Sequence, residues 1–193
     1  LDRTIETHIQ AFKEKNLQAA LSRIVSVVVQ PGVDFSHTSV TQYSKSSAKK
    51  LVAQLSKYKD IAFEAHSTDY QQNTGLANLV ADHHLFLKVG PELTFALREA
   101  LFLLAKIEDE LFKDKASNLI QVVFKTMDNN PKDWINYYHG SIDEQQFLKH
   151  YSYSDRIRYY WDHPDVNSAI NKMIKNLDNI DIPEFVISQF FGI

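Results

Sequence analysis

The sequence contains no cysteine in its 193 residues, which excludes a disulfide framework and any zinc site built on thiolates. Glycine is scarce as well. Five glycines leave little from which to build a nucleotide-phosphate cradle, and no Walker loop, GxGxxG or HExxH motif occurs. Neither sign of charge dominates, since 21 Lys and Arg stand against 24 Asp and Glu for a net charge of −3, so nucleic acid is not the expected partner. No run of eighteen apolar residues is present, because even Leu85 to Ala105 is interrupted by Lys88, Glu92, Arg98 and Glu99; a membrane span is not expected. The N-terminus lacks the basic-then-apolar pattern of a signal peptide, which makes the cytoplasm the expected location. The chain begins on Leu1 in what reads as the middle of a helix, so a truncated chain is expected.

What is there is a hydrophobic content of 44%, enough for a sizeable core, arranged in a regular alternation. Residues 2–15 read as an amphipathic helix on Ile5, Ile9 and Phe12, with Asn16 suited to a left-handed stop. A short helical segment over 17–22 leads to Ile24–Val29, a nearly pure β-branched run that stops at Gln30-Pro31-Gly32, as a buried parallel strand would. A polar loop, a helix over 46–55, a strand over 61–66, a helix over 73–80 and a third strand over 85–89 follow. Gly90-Pro91 then opens a long helix whose apolar stripe is Leu93, Ala96, Leu97, Ala100, Leu101, Leu104 and Ala105. This alternation predicts parallel βαβ units with helices packed outside. Beyond Phe112 the strand signal ends, and helical patterns at 115–127, 131–138, 143–149, 165–177 and 183–190 are punctuated by Pro131, Gly140, Pro164 and Pro183.

Three parallel strands alone leave two open edges, which natural proteins avoid. The pattern suits the final third of a (β/α)8 barrel, whose full length is roughly 250 residues. The fold class expected is therefore α/β: the C-terminal part of a TIM barrel, about three βα units, followed by a helical extension. Residues 1–193 read as one incomplete domain, with the last barrel units in 1–112 and the extension in 113–193 packed on them.

Strand alternation splits each run into two faces. Val25, Val27 and Val29, then Ile61, Phe63 and Ala65, then Leu85, Leu87 and Val89 form an apolar face expected to meet helices. On the other face, polar residues gather towards the strand ends, so Gln30, Glu64, His66 and Lys88 are expected near the C-terminal mouth, where barrel enzymes place their chemistry. Glu64 and His66 are candidates for general acid or base work and Lys88 for a Schiff base; a structural ion pair between Glu64 and Lys88 is the competing reading. A phosphate site is expected from Gln30, from Ser67 and Thr68 after the second strand, and from Gly90 at the N-terminus of the long helix; the plainer alternative is that these residues only shape turns. Arg156, beside Arg158 among aromatics, either clamps a carboxylate or phosphate or docks the helical extension. Asp82-His83-His84 invites a metal reading, but neighbouring strand residues point to opposite faces and the triplet sits at the wrong end of the strand, so no metal site is assigned.

The blocks Val28-Val-Gln-Pro-Gly-Val33, Glu64-Ala-His-Ser-Thr-Asp-Tyr-Gln71, Leu87-Lys-Val-Gly-Pro91, Leu93-Thr-Phe-Ala-Leu-Arg-Glu-Ala100, Tyr153-Ser-Asp-Arg-Ile-Arg-Tyr-Tyr-Trp161, Ile182-Pro183 and Ile187-Ser-Gln189 resemble the C-terminal half of the GatZ/KbaZ family. Those are the non-catalytic subunits of class II D-tagatose-1,6-bisphosphate aldolase in bacterial galactitol and N-acetylgalactosamine catabolism. The resemblance runs along nearly the whole chain. It implies a barrel whose first five strands are absent here, and a role in supporting the activity and stability of a separate catalytic subunit. That partner is the expected holder of zinc; no cofactor is expected in this chain. The resemblance transfers no catalytic residues. A homo-oligomer and a sugar phosphate are further partner candidates.

The second functional reading is a stand-alone enzyme acting on a phosphorylated ketose, either an aldolase or, following a label attached to the family, a tagatose-6-phosphate kinase. The absence of a nucleotide-phosphate loop gives the kinase label no support. Because a half barrel would expose strand edges and lumen, residues 1–193 alone are expected to melt without cooperativity. A sharp two-state thermal transition of this chain would contradict that expectation.

Overall fold

β-branched side chains stiffen the backbone at χ1 and favour extended conformation, and each of the three expected strands forms around them or around aromatics. In the computed structural model, which describes residues 1–58 and 60–192, the chain groups into two compact units, Leu1–Gly90 and Pro91–Ile193.

The first unit begins with α1 (Asp2–Glu14), which Asn16 ends in the left-handed region at φ 57°. A 3-10 segment, Gln18–Arg23, leads to β1 (Ser26–Val29). The polar loop of the sequence reading contains a small antiparallel hairpin, β2 (Asp34–Phe35) and β3 (Val40–Thr41), which periodicity over two residues cannot reveal. Next come α2 (Lys45–Leu55), β4 (Ala62–Ala65), α3 (Asn73–Ala81) and β5 (His84–Leu87). Ser44 caps α2 by accepting from the Ser47 amide, satisfying one donor that has no partner inside the helix.

β1, β4 and β5 form a parallel sheet in that order. One face packs on helices: Val29 and Phe63 meet Leu55 and Leu51, while Ala65 and Leu87 meet Ala48, Leu79 and Leu76. Among the described residues, no further strand pairs with the outer edges of β1 or β5.

The third strand departs from simple alternation. Phe63 pairs with His84 but Glu64 pairs with Phe86, so Leu85 is an extra residue at an irregularity in the ladder. Leu85, expected on the helix-facing side, is instead 61% exposed, and His84 takes the buried place with 0% exposure. A bulge of this kind reverses the facing of the residues before it. His84 donates through Nδ1 to the Leu79 carbonyl at 3.1 Å and packs against the rings of Phe63 and Tyr43. Burial holds its pKa below the ordinary value.

In the second unit the long helix expected after Gly90-Pro91 is α4 (Glu92–Phe112), which groups with the helices that follow it. These are α5 (Leu119–Asn129), α6 (Ile142–Tyr151), α7 (Pro164–Asp178) and α8 (Glu184–Phe191), joined by 3-10 turns at Lys113–Lys115, Pro131–Asp133 and Arg156–Tyr159. Leu119, Val123 and Met127 of α5 and Val166, Ala169 and Met173 of α7 make the core, together with Ala105, Tyr138, Ile157 and Tyr160. The stripe on α4 divides: Leu101, Leu104 and Ala105 pack into this core, whereas Leu93 and Leu97 are exposed.

Two buried charge groups tie the helices together. Glu108, with no exposed surface, accepts from the Ser117 amide at 2.9 Å, the Ser117 hydroxyl at 2.5 Å and Asn176 Nδ2 at 2.6 Å. Three donors offset the cost of desolvating that carboxylate. Arg98 pairs with Asp155 at 2.7 Å and donates through Nη1 to the His150 carbonyl. No helix among the described residues is long and apolar enough to cross a membrane.

Phe63 is fully buried at the centre of the sheet's packed face. Its replacement by Ala should cost about 3–5 kcal/mol, the usual range for removing a buried aromatic. Urea denaturation of full-length wild type and variant measures this, and a loss below about 1 kcal/mol would mean that the face is not packed as described.

Candidate functional site

β4 is the central strand, so its open-face residue lies between two neighbours. Glu64 is that residue, paired in register with Val28 of β1 and Phe86 of β5. One carboxylate is thus flanked by two half-exposed apolar side chains.

Two residues on, at the strand's end, His66 returns to the same face and its Nε2 lies 2.8 Å from Glu64 Oε1. The Ser26 hydroxyl donates to Glu64 Oε2 at 3.4 Å. The hydrogen bond with His66 is the main cause holding the Glu64 carboxyl below its ordinary value; burial works against it, and the charges of His66 and Lys88 add to it. Glu64 is therefore an anion at neutral pH, placed to orient the His66 ring. In place of the Glu64–Lys88 ion pair of the competing reading, Glu64 pairs with His66; Lys88 is exposed and acts on Glu64 through space.

The candidate phosphate ligands are disposed differently. Thr68 is 1% exposed, and both its amide and its hydroxyl donate to the Lys88 carbonyl, at 3.2 and 2.9 Å. The Gly90 amide donates to the Asp69 carboxylate at 2.8 Å. Those donors lock the loop after β4 to the loop after β5, and Asp69, itself 1% exposed, holds the place at Gly90 where an anion's oxygen was expected. A side chain at Gly90 would bring a Cβ to 3.6 Å from Asp69 Oδ1, ordinary contact. Ser67 adopts φ 56° and turns the chain. Gln30 is exposed after β1 and shares a cleft with Leu1, Thr4, Val27 and Leu51. Arg156 belongs to the second unit, where its Nε donates to the Asp133 carbonyl and its guanidinium lies 3.4 Å above the centre of the Tyr137 ring.

Three contributors escaped the sequence reading. Strand alternation and turn chemistry give Ser26, Asp69 and Gln71 no role. Gln71 accepts from the Tyr43 amide at 2.8 Å and donates to the Thr41 carbonyl at 2.9 Å, so it pins the β2–β3 hairpin to the loop after β4. The one available signal was the turn chemistry of Ser67-Thr68-Asp69, whose side chains readily bond backbone groups.

Asp82, His83 and His84 diverge. Asp82 accepts from Tyr43 at 2.8 Å and pairs with Lys45 at 3.0 Å, while His84 is in the core. Among the described residues no group of three or more His, Asp or Glu side chains could hold a metal ion.

The fold and this cluster define a parallel α/β segment whose polar residues collect at the C-terminal end of its sheet, followed by a unit of helices. Matching over residues 1–193, the chain belongs to the D-tagatose-1,6-bisphosphate aldolase subunit GatZ/KbaZ-like family. It is 46% identical over 192 residues to the D-tagatose-1,6-bisphosphate aldolase subunit GatZ of Salmonella paratyphi B, a match covering 99% of this chain and 45% of that protein. The GatZ of Salmonella enteritidis PT4 is 44% identical with the same coverage. A crystal structure described as a probable tagatose 6 phosphate kinase from Sinorhizobium meliloti 1021 superposes with a TM-score of 0.94 at 47% identity, covering 98% of this chain and 49% of that one. The chain thus spans about half the length of the relatives it matches.

Nuclear magnetic resonance titration of the Glu64 carboxyl should give a midpoint below the ordinary 4.5, moving up towards it in His66→Ala. Because the folded pKa is the lower one, the stability that this pair contributes is present above the unfolded value and is lost as pH falls through the folded one. A midpoint at or above 4.5 in wild type would refute the pairing.

Proposed function

We propose that this chain is part of an accessory, non-catalytic subunit that supports the activity and stability of a class II tagatose-1,6-bisphosphate aldolase in galactitol or N-acetylgalactosamine catabolism, the route through D-tagatose 6-phosphate. The observation that carries the reading is the match along the whole chain to proteins named as the GatZ subunit of that aldolase. In this account β1, β4 and β5 are the last three strands of a (β/α)8 barrel. The outer edges of β1 and β5 and the exposed Val28 and Phe86 support that placement, because parallel strands are normally covered on both faces.

The catalytic partner would hold the zinc ion and cleave tagatose 1,6-bisphosphate to glycerone phosphate and glyceraldehyde 3-phosphate. This chain contributes no cofactor. The subunit works in the cytoplasm. Glu64, His66 and Lys88 are the groups through which the barrel mouth would meet a sugar phosphate, with Gln30 and Ser67 at its rim and Thr68 and Gly90 shaping it.

One observation favours a second reading. The Glu64–His66 pair, at 2.8 Å and partly open to solvent, has the geometry of an acid–base dyad, as an enzyme acting by itself on a phosphorylated ketose would need.

A coupled assay for triose phosphate separates the two. With tagatose 1,6-bisphosphate as substrate, full-length protein should be silent alone and should raise the rate of the catalytic subunit when mixed with it. Turnover by full-length protein alone, abolished in Glu64→Gln, would instead make this chain the enzyme.

A further inference from the structure

The segment Ser154 to Trp161 is a conspicuous block of the sequence that the sheet cluster does not use. In the second unit its 3-10 turn Arg156–Tyr159 supplies three side chains of a four-residue layer, and Tyr137, in the turn after Pro131–Asp133, supplies the fourth. Arg156 lies between two rings, with its guanidinium carbon 3.4 Å from the centre of Tyr137 and 5.0 Å from that of Tyr159. Arg158 sits 4.6 Å from the centre of Tyr159 and donates through Nη2 to the Tyr159 hydroxyl at 2.9 Å. Tyr137 and Tyr159 are 48% and 49% exposed, and Ile135, on the same turn as Tyr137, is 48% exposed.

The guanidinium groups of this layer bind backbone carbonyls. Arg156 donates through Nε to the Asp133 carbonyl, and Arg158 through Nη1 to the carbonyls of Ser154 and Asp155. Neither guanidinium pairs with a carboxylate among the described residues. Arg156 is part-exposed, and neither of its terminal amino groups is a buried atom left without a partner. A part-exposed planar fork is therefore held over two rings, its orientation fixed in advance by stacking and by a backbone carbonyl. Such a fork matches a carboxylate in two parallel hydrogen bonds. Pre-ordering lowers the entropy cost of using it. Half-exposed tyrosines around arginine are also the composition that dominates the energetics of protein interfaces, and a small free anion would have no use for the exposed rings and Ile135.

From this we infer that Tyr137, Arg156, Arg158 and Tyr159 form a docking surface for an acidic segment of a protein partner, with an Asp or Glu carboxylate seated on the Arg156 fork between the two tyrosines. The charge of the layer runs against the net −3 of the chain, so an acidic partner is drawn to this place and repelled by the chain as a whole. The partner is the catalytic aldolase subunit, an assignment that rests on the accessory reading above.

The test is association of full-length protein with the catalytic subunit by analytical ultracentrifugation, with each variant's melting temperature recorded. Arg158→Glu and Tyr137→Ala should each weaken the complex by more than about 10-fold, and Arg156→Lys, which keeps the charge but loses the fork, should weaken it too. Lys125→Glu, a matched charge reversal on the exposed face of α5, should leave it unchanged. Complex formation by wild type with Arg158→Glu and Tyr137→Ala binding within about twofold would overturn the docking surface and leave the accessory role standing. Failure of wild type to associate would overturn both. Loss of self-association in the variants, or displacement by millimolar inorganic phosphate of a bound phosphate rather than of the partner, would assign the layer to a second copy or to a small anion and would equally overturn it.

Discussion

The unit Leu1–Gly90 depends on a parallel sheet that is packed on one side only. Val29, Phe63, Ala65 and Leu87 bury one face against helices, while Val28, Leu85 and Phe86 leave the other half open. Burial of a side chain of that size is worth about 1.5–3 kcal/mol, so the open face is a substantial unused driving force for association with further chain. Glu64 sits in the middle of that face, flanked by Val28 and Phe86. Covering the sheet would lower the dielectric around the carboxylate and strengthen its interaction with His66. The same packing that completes the fold would therefore complete the electrostatics of the site.

All three strands of this sheet were legible, because each carries a β-branched or aromatic run stopped by Pro, Gly or polar residues. The alternation within them was legible for β1 and β4 and failed in β5. Period-two reasoning assumes an uninterrupted ladder, and the extra residue at Leu85 sends His84 inward. Histidine beside aspartate reads as polar, and only the three-dimensional neighbours Phe63, Tyr43 and Leu79 make it a core residue. The β2–β3 hairpin was invisible for a different reason: two-residue strands have no period, and what holds this one is Gln71, about thirty residues away.

Of the candidate site, the pairing of Glu64 with His66 follows from two residues on one face of one strand, and sequence suffices to bring them together. The loops do not follow in that way. Thr68 and Gly90 are groups able to hold an anion, and whether they do depends on competitors for their hydrogen bonds. Here Asp69 and the Lys88 carbonyl are those competitors. In the helical unit the helices were likewise foreseeable from apolar spacing, but the contacts that bind them were not. Glu108 reaches Asn176 across 68 residues, and Arg98 reaches Asp155 across 57, separations over which sequence carries no register.

In the whole protein the open face and outer edges of this sheet should be covered. Amide hydrogen exchange of the full-length protein, read over Ser26–Val29 and His84–Leu87, tests it most directly, because an amide at an uncovered edge exchanges quickly. Slow exchange is expected in both segments, as slow as in the central strand Ala62–Ala65. Rapid exchange in either outer strand beside a protected central strand would mean that the sheet ends where it ends here, and the barrel would have to be abandoned.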